Sequence, residues 1–165
     1  VGDFSLKNTK TMHVFRGLPG SGKSYSVNQF VESLKQKNSS FTVHSTDNYF
    51  MVTGEYIFVP ERIGIFHKFN KEDAKRSCEN GIEHVIIDNT NTCWKEIKPY
   101  AEIAIEYGYE FQISEPLTDW RFDVDECVKR NSHGVPKNAI ERMLDRWESS
   151  GIILEKYREL ASNNF

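Results

Sequence analysis

The sequence predicts an α/β fold in which a parallel sheet carries helices on both faces. Three observations point there. Strand-like and helix-like runs alternate along most of the 165 residues, the order that builds parallel sheets. Gly17-Leu18-Pro19-Gly20-Ser21-Gly22-Lys23-Ser24 fits the phosphate-loop pattern G-x-x-x-x-G-K-[ST] without a gap, between a strand and a helix. His84-Val85-Ile86-Ile87-Asp88 is an apolar run ended by an acid, as suits a central parallel strand buried on both faces.

The elements follow in order. Val1 to Lys10 are a polar lead-in, and Thr11 to Arg16 form the strand that enters the glycine loop. Lys23 to Lys37 leave it as a helix whose Val27, Phe30, Val31 and Leu34 make one apolar stripe. Phe41 to Thr46, β-branched and aromatic, is a second strand with Asp47-Asn48-Tyr49-Phe50 at its carboxyl end. Met51 to Val59 read as a hairpin or irregular insert turning at Gly54. Pro60 opens a helix over Glu61 to Glu79, made basic by Arg62, Lys68, Lys71, Lys75 and Arg76. After the strand ending at Asp88 come a helix from Trp94 to Tyr107 and a strand from Tyr109 to Ser114. Asp119 to Arg130 and a run from Pro136 to Trp147 read as two further helices, followed by one from Ile152 to Leu160 and a polar tail. No repeat or boundary divides the chain, so residues 1–165 read as one domain, with 148–165 its C-terminal helix and tail.

Composition narrows the classes. A hydrophobic fraction of 38% and an aromatic fraction of 13% describe a globular chain. The formal net charge of −3 gives no general pull toward a polyanion, so such a partner needs a local basic patch. Cys78, Cys93 and Cys127 are odd in number and lack metal spacing, which favours buried thiols in a reducing, intracellular (nuclear or cytoplasmic) compartment. No apolar run nears the ~20 residues that span a bilayer. A chain that opens on Val1 without a charged-then-apolar leader reads as an excised or processed piece.

The chemistry gathers beyond the carboxyl ends of the strands. In the loop, Gly17, Gly20 and Gly22 let backbone N–H groups of the Leu18-Pro19-Gly20-Ser21 turn curl into an anion nest, backed by the positive end of the helix. Lys23 would sit by the β- and γ-phosphates of ATP, and the Ser24 hydroxyl would ligate Mg²⁺. Asp47 is either a catalytic acid or a helix cap. Asp88 either supports the Mg²⁺ shell or belongs to turn chemistry with Asn89-Thr90-Asn91. Tyr49, Phe50, Tyr56 and Phe58 are either a face on which a base stacks or simple packing. The basic helix is a solvated face or a phosphate-contacting patch, and His67 carries the same ambiguity. Arg130 is a surface or capping residue, or a cation on a mobile lid.

Four blocks then recur together: Arg16 to Ser24, Ser45 to Phe50, Ile86 to Asn91, and Arg130-Asn131-Ser132-His133-Gly134-Val135-Pro136. In this order they resemble the P-loop polynucleotide 5′-hydroxyl kinases, most of all the kinase-like domain of proteins that bind Nedd-family ubiquitin ligases. The resemblance runs from about Met12 to Trp147. It implies a P-loop NTPase-type sheet with a helical lid and transfer of the ATP γ-phosphate to the 5′-hydroxyl of DNA or RNA. It implies Asp47 as general base, Lys23 and Ser24 at phosphate and Mg²⁺, and Arg130 as the lid arginine at the nucleotide phosphates. Protein partners would act through the rest of a parent chain. Two positions depart from the phage kinase of the group. Phe50 stands where that enzyme has an arginine gripping the acceptor phosphate, and Asn89 where it has its second acid. A small-molecule or nucleotide kinase of the same fold and a non-catalytic nucleotide-binding module compete with this expectation.

Overall fold

The computed structural model describes residues 9–164; the lead-in expected over residues 1–10 lies outside them except for its last two residues. Four strands form a parallel sheet in the order β2 (Phe41–His44), β5 (His84–Asp88), β1 (Thr11–Phe15), β6 (Glu110–Ser114). Every pair is parallel, and Phe15 lies opposite both Asp88 and Ser114, so the tips of β5, β1 and β6 end level. From β1 the chain crosses through α1 (Lys23–Gln36) to the outer strand β2, whereas α3 (Trp94–Tyr107) carries it from β5 to β6 on the far side of β1. Connections that part in this way open a crevice above the central strand.

Strand alternation divides the core. Met12, Val14, Val85 and Ile87 meet Ala74 and Cys78 of α2 (Ile63–Glu79), Ile97, Tyr100 and Ala104 of α3, and Ile153 of α6 (Ser150–Ser162). Phe15 and Ile86 face the other way, onto Val27 and Leu34 of α1 with Phe30 and Val31 beside them, the stripe expected from the sequence. A third cluster joins Leu18 of the glycine loop to Cys127 of α4 (Val124–Arg130) and Ile140 of α5 (Lys137–Asp145), flanked by Trp120, Met143 and Trp147. Burying one such leucine contributes about 2 kcal/mol, so the loop and the helical lid share a core. The insert after β2 is a hairpin, β3 (Met51–Val52) and β4 (Glu55–Tyr56), turning at Gly54. Among the described residues no helix is long and apolar enough to cross a membrane.

Several boundaries differ from expectation. The second strand stops at His44, and Thr46–Phe50 coil into a 3₁₀ turn, because the Thr46 N–H is taken by Asn89 Oδ1 at 2.9 Å instead of a sheet partner. The helix expected from Asp119 begins only at Val124, where Asp123 caps it by accepting the Glu126 N–H at 3.1 Å. The next ends at Asp145, short of Trp147, and the last runs from Ser150 to Ser162, longer than expected, with Ser149 capping the Ile152 N–H.

Candidate active site

The glycine loop leaves β1 at the centre of the sheet and is gripped from three sides. Gly17 N–H donates to Thr90 O at 3.1 Å, Thr118 Oγ1 to Ser21 O at 2.6 Å and Trp120 Nε1 to Gly20 O at 3.1 Å. Gly20 and Gly22 have φ of 82° and 104°. A side chain at Gly20 would overlap the Cys127 carbonyl oxygen, and one at Gly22 would press on Thr118 Cγ2 at 2.8 Å. Gly22 caps α1, so that helix aims its positive end into the loop. Ser21 Oγ is fully buried and has no hydrogen-bond partner. An unpaired buried hydroxyl costs about 1–3 kcal/mol, and an anion seated in the loop offers it an acceptor. These features fit a phosphate chain.

Lys23 Nζ contacts Asp88 Oδ1 at 2.6 Å, with both side chains largely shielded. Ser24 lies exposed one residue into α1. No group of three or more His, Cys, Asp or Glu converges on a metal-sized point among the described residues. Mg²⁺ beside a phosphate loop takes most of its ligands from water and phosphate, so the Ser24 hydroxyl and Asp88 carboxylate suffice chemically as its protein donors. Beyond Asp88, Asn89 reaches back to Thr46, and Asn91, held at φ 50°, donates from Nδ2 to Phe15 O at 2.8 Å. Asn89 and Asn91 therefore lash the tips of β2 and β1 to β5.

Asp47 sits exposed in the first turn of the 3₁₀ segment, where neither it nor Ser45 makes a side-chain capping bond. Its Oδ1 accepts from Tyr56 Oη at 3.3 Å. Burial, with the Asp47 charge and this bond, pushes the Tyr56 phenol up to about 12, so the hydroxyl remains a donor. The Tyr56 ring packs on His133 with centroids 3.9 Å apart, which brings the hairpin against the lid turn after α4. Arg130 closes α4, its Nε 3.0 Å from Glu126 Oε1 and its guanidinium 3.7 Å above the Trp120 ring. Trp120 in turn holds Gly20, so Arg130 is linked to the loop through one aromatic side chain.

In the sequence Arg16 stands out only as the first residue of the glycine-loop block, and its structural position is not legible there. It is fully buried at the end of β1. Nε donates to Asn91 O at 2.8 Å, Nη1 to Ser150 Oγ at 2.9 Å, and Nη2 to Thr92 O at 3.0 Å and Glu148 O at 2.6 Å. Glu115 lies 3.9 Å away and the Trp147 ring covers the guanidinium at 4.2 Å. Burial pulls its pKa down, and Glu115 and Glu148 pull it back. Every partner is distant in sequence; the one available signal was a charged residue between an apolar strand and a glycine loop.

A glycine loop joining a central parallel strand to a helix, with its lysine against the acid at the neighbouring strand tip, defines a P-loop-type domain with a kinase-like fold. The chain belongs to the AAA domain family, whose match spans residues 12–150. NEDD4-binding protein 2 of Homo sapiens is 40% identical over 135 residues, covering 82% of this chain and 7% of that protein. The 2′,3′-cyclic-nucleotide 3′-phosphodiesterase of Rattus norvegicus is 32% identical over 139 residues, 84% of this chain and 31% of that one. The chain thus spans less than a third of either curated relative. A chain in the solved Pnkp1/Rnl/Hen1 RNA repair complex superposes with a TM-score of 0.64 at 20% identity, over 96% of this chain and 47% of that one, a likeness of fold.

Proposed function

We propose that this domain transfers the γ-phosphate of ATP to the 5′-hydroxyl of a DNA or RNA strand. The observation that carries the proposal is Asp47, an exposed carboxylate at the tip of the strand beyond Asp88, tied through Tyr56 to the lid turn that follows Arg130. In this reading the loop N–H groups of Gly17 to Ser24 hold the β- and γ-phosphates, with Lys23 turning from Asp88 toward them. Ser24 and Asp88 are the residues that would hold Mg²⁺, which when bound neutralises charge on the β- and γ-oxygens. Asp47 takes the proton of the attacking hydroxyl. The hydroxyl oxygen bonds to the γ-phosphorus, the bond to the β–γ bridging oxygen breaks, and ADP leaves with that electron pair. Arg130, released from Glu126, steadies the charge on the migrating group. The RNA repair complex among the fold relatives and the four sequence blocks support a nucleic-acid acceptor.

Incubation with γ-labelled ATP and 5′-hydroxyl oligonucleotides tests the proposal. Asp47→Ala is expected to lower transfer by roughly 10²–10⁴-fold while ATP binding, measured by calorimetry, stays unchanged. Loss of ATP binding instead would remove Asp47 from the role of base. Phe50, buried where an acceptor-gripping cation stands in the phage kinase, favours a second reading with a mononucleoside acceptor. Mononucleosides competing as strongly as oligonucleotides would select it.

A further inference from the structure

Exposed apolar side chains concentrate in the stretch 51–69: Met51, Val52, Ile57, Phe58, Ile65 and Phe69 are 38–50% exposed. Aromatic rings make the stretch continuous. Buried Phe50 contacts Tyr56, Phe58 and Phe66 at centroid distances of 6.1, 5.1 and 4.7 Å, and Tyr49 meets Phe66 and Phe69 at 5.6 and 6.1 Å. The chain of rings starts at the residue bonded to Asp47 and ends halfway along α2. Arg62, Phe66, Phe69 and Arg76 follow helical spacing on one side of that helix, placing the two arginines about 21 Å apart. Arg62 forms no ion pair among the described residues, whereas Arg76 is committed to Asp73, which also accepts from Tyr49.

A monomer seldom leaves so much apolar surface together without a use. This surface begins at the proposed base and carries the unpaired Arg62 on the same side of the helix as its rings, and an unpaired nucleic-acid end offers both flat bases and phosphates. We propose that the acceptor is a single strand whose first bases stack on the Phe58–Phe69 face, with Arg62 at its phosphates. This rests on the kinase reading and names how its acceptor is held. Stacking takes the place of the missing cation at Phe50 and is tolerant of sequence, because every base has a π-face. A base-paired end cannot splay its bases onto the rings and is a poor acceptor.

The test combines binding and transfer with one set of 3′-fluorescein-labelled 5′-hydroxyl oligonucleotides: single-stranded, blunt duplex, and single-stranded with two abasic residues at the 5′ end. Fluorescence anisotropy is expected to show the single strand binding at least about tenfold more tightly than the duplex or the abasic strand. The Phe58→Ala/Phe69→Ala variant should lose about tenfold toward the normal strand but little toward the abasic one, with unchanged KM for ATP. Phe58→Leu, which keeps apolar bulk without a flat ring, should show the same loss in smaller measure, separating stacking from a packing defect. Binding that ignores both rings, or a duplex bound as well as a single strand, overturns the inference and leaves the face to a protein partner. Ring-dependent binding without any label transfer upholds the surface and sinks the kinase reading instead.

Discussion

The two sides of the site are built in opposite ways. On the loop side, Gly17 to Ser24 are held by Thr90, Thr118 and Trp120, while Leu18 is sealed into the lid core and Arg16 is buried beneath. On the hairpin side, Asp47 is exposed and its side chain is held by a hydrogen bond from Tyr56, and apolar side chains face outward. A preorganised side suits a ligand whose shape never varies, such as a phosphate chain. An open, aromatic side suits one whose sequence does vary. Stability should therefore reside on the loop side and acceptor affinity on the hairpin side.

The sharpest way to break that contrast is Arg16→Met. It leaves the Asn91, Thr92 and Glu148 carbonyls without their buried donor. Stripping partners from a buried hydrogen-bonded cation site costs about 3–5 kcal/mol, against about 1 kcal/mol for a half-exposed residue such as Phe58. Urea unfolding of both variants measures the difference, and equal losses would dissolve the division. Gly20→Ala comes next. Its φ of 82° and the approach of the Cys127 carbonyl set a cost of about 1–3 kcal/mol, borne where loop and lid meet. ATP affinity by calorimetry should fall at least about tenfold, with oligonucleotide binding unchanged.

How far the sequence reached follows the same line. The strand–loop–helix unit was legible because eight adjacent residues specify it, and the parallel sheet because the order of strands and helices forbids most alternatives. Range of contact explains what was not. Arg16 binds partners 75 to 134 residues away, which no local pattern encodes. The short second strand depends on Asn89 capturing Thr46 across 43 residues. By contrast, the true start of α4 was written locally, in Asp123 capping Glu126 with two acids in the first turn, a cue that the longer helical reading overrode. The aromatics of 49–58 were visible, yet whether each faces inward or outward depended on α2. Phe50 turned in and Phe58 turned out.

The gentlest test uses acid. His13 on β1 is buried between Phe30 and His84, and burial first, then the His84 charge, lowers its pKa from 6.5 to about 4. As pH falls, the unfolded chain therefore takes up this proton first. The stabilisation is complete above about 6.5 and drains away as pH drops toward 4. Between about pH 7.5 and 5 the loss is on the order of 2 kcal/mol, readable as a falling urea midpoint. His44 on β2, bonded to Thr42 and Ser77, is also lowered by burial and adds in the same direction from the hairpin side. His13→Gln should flatten more of the slope than His44→Gln. The reverse ranking would put the acid-sensitive half of the fold under the hairpin, and the rigid and yielding sides would have to be exchanged.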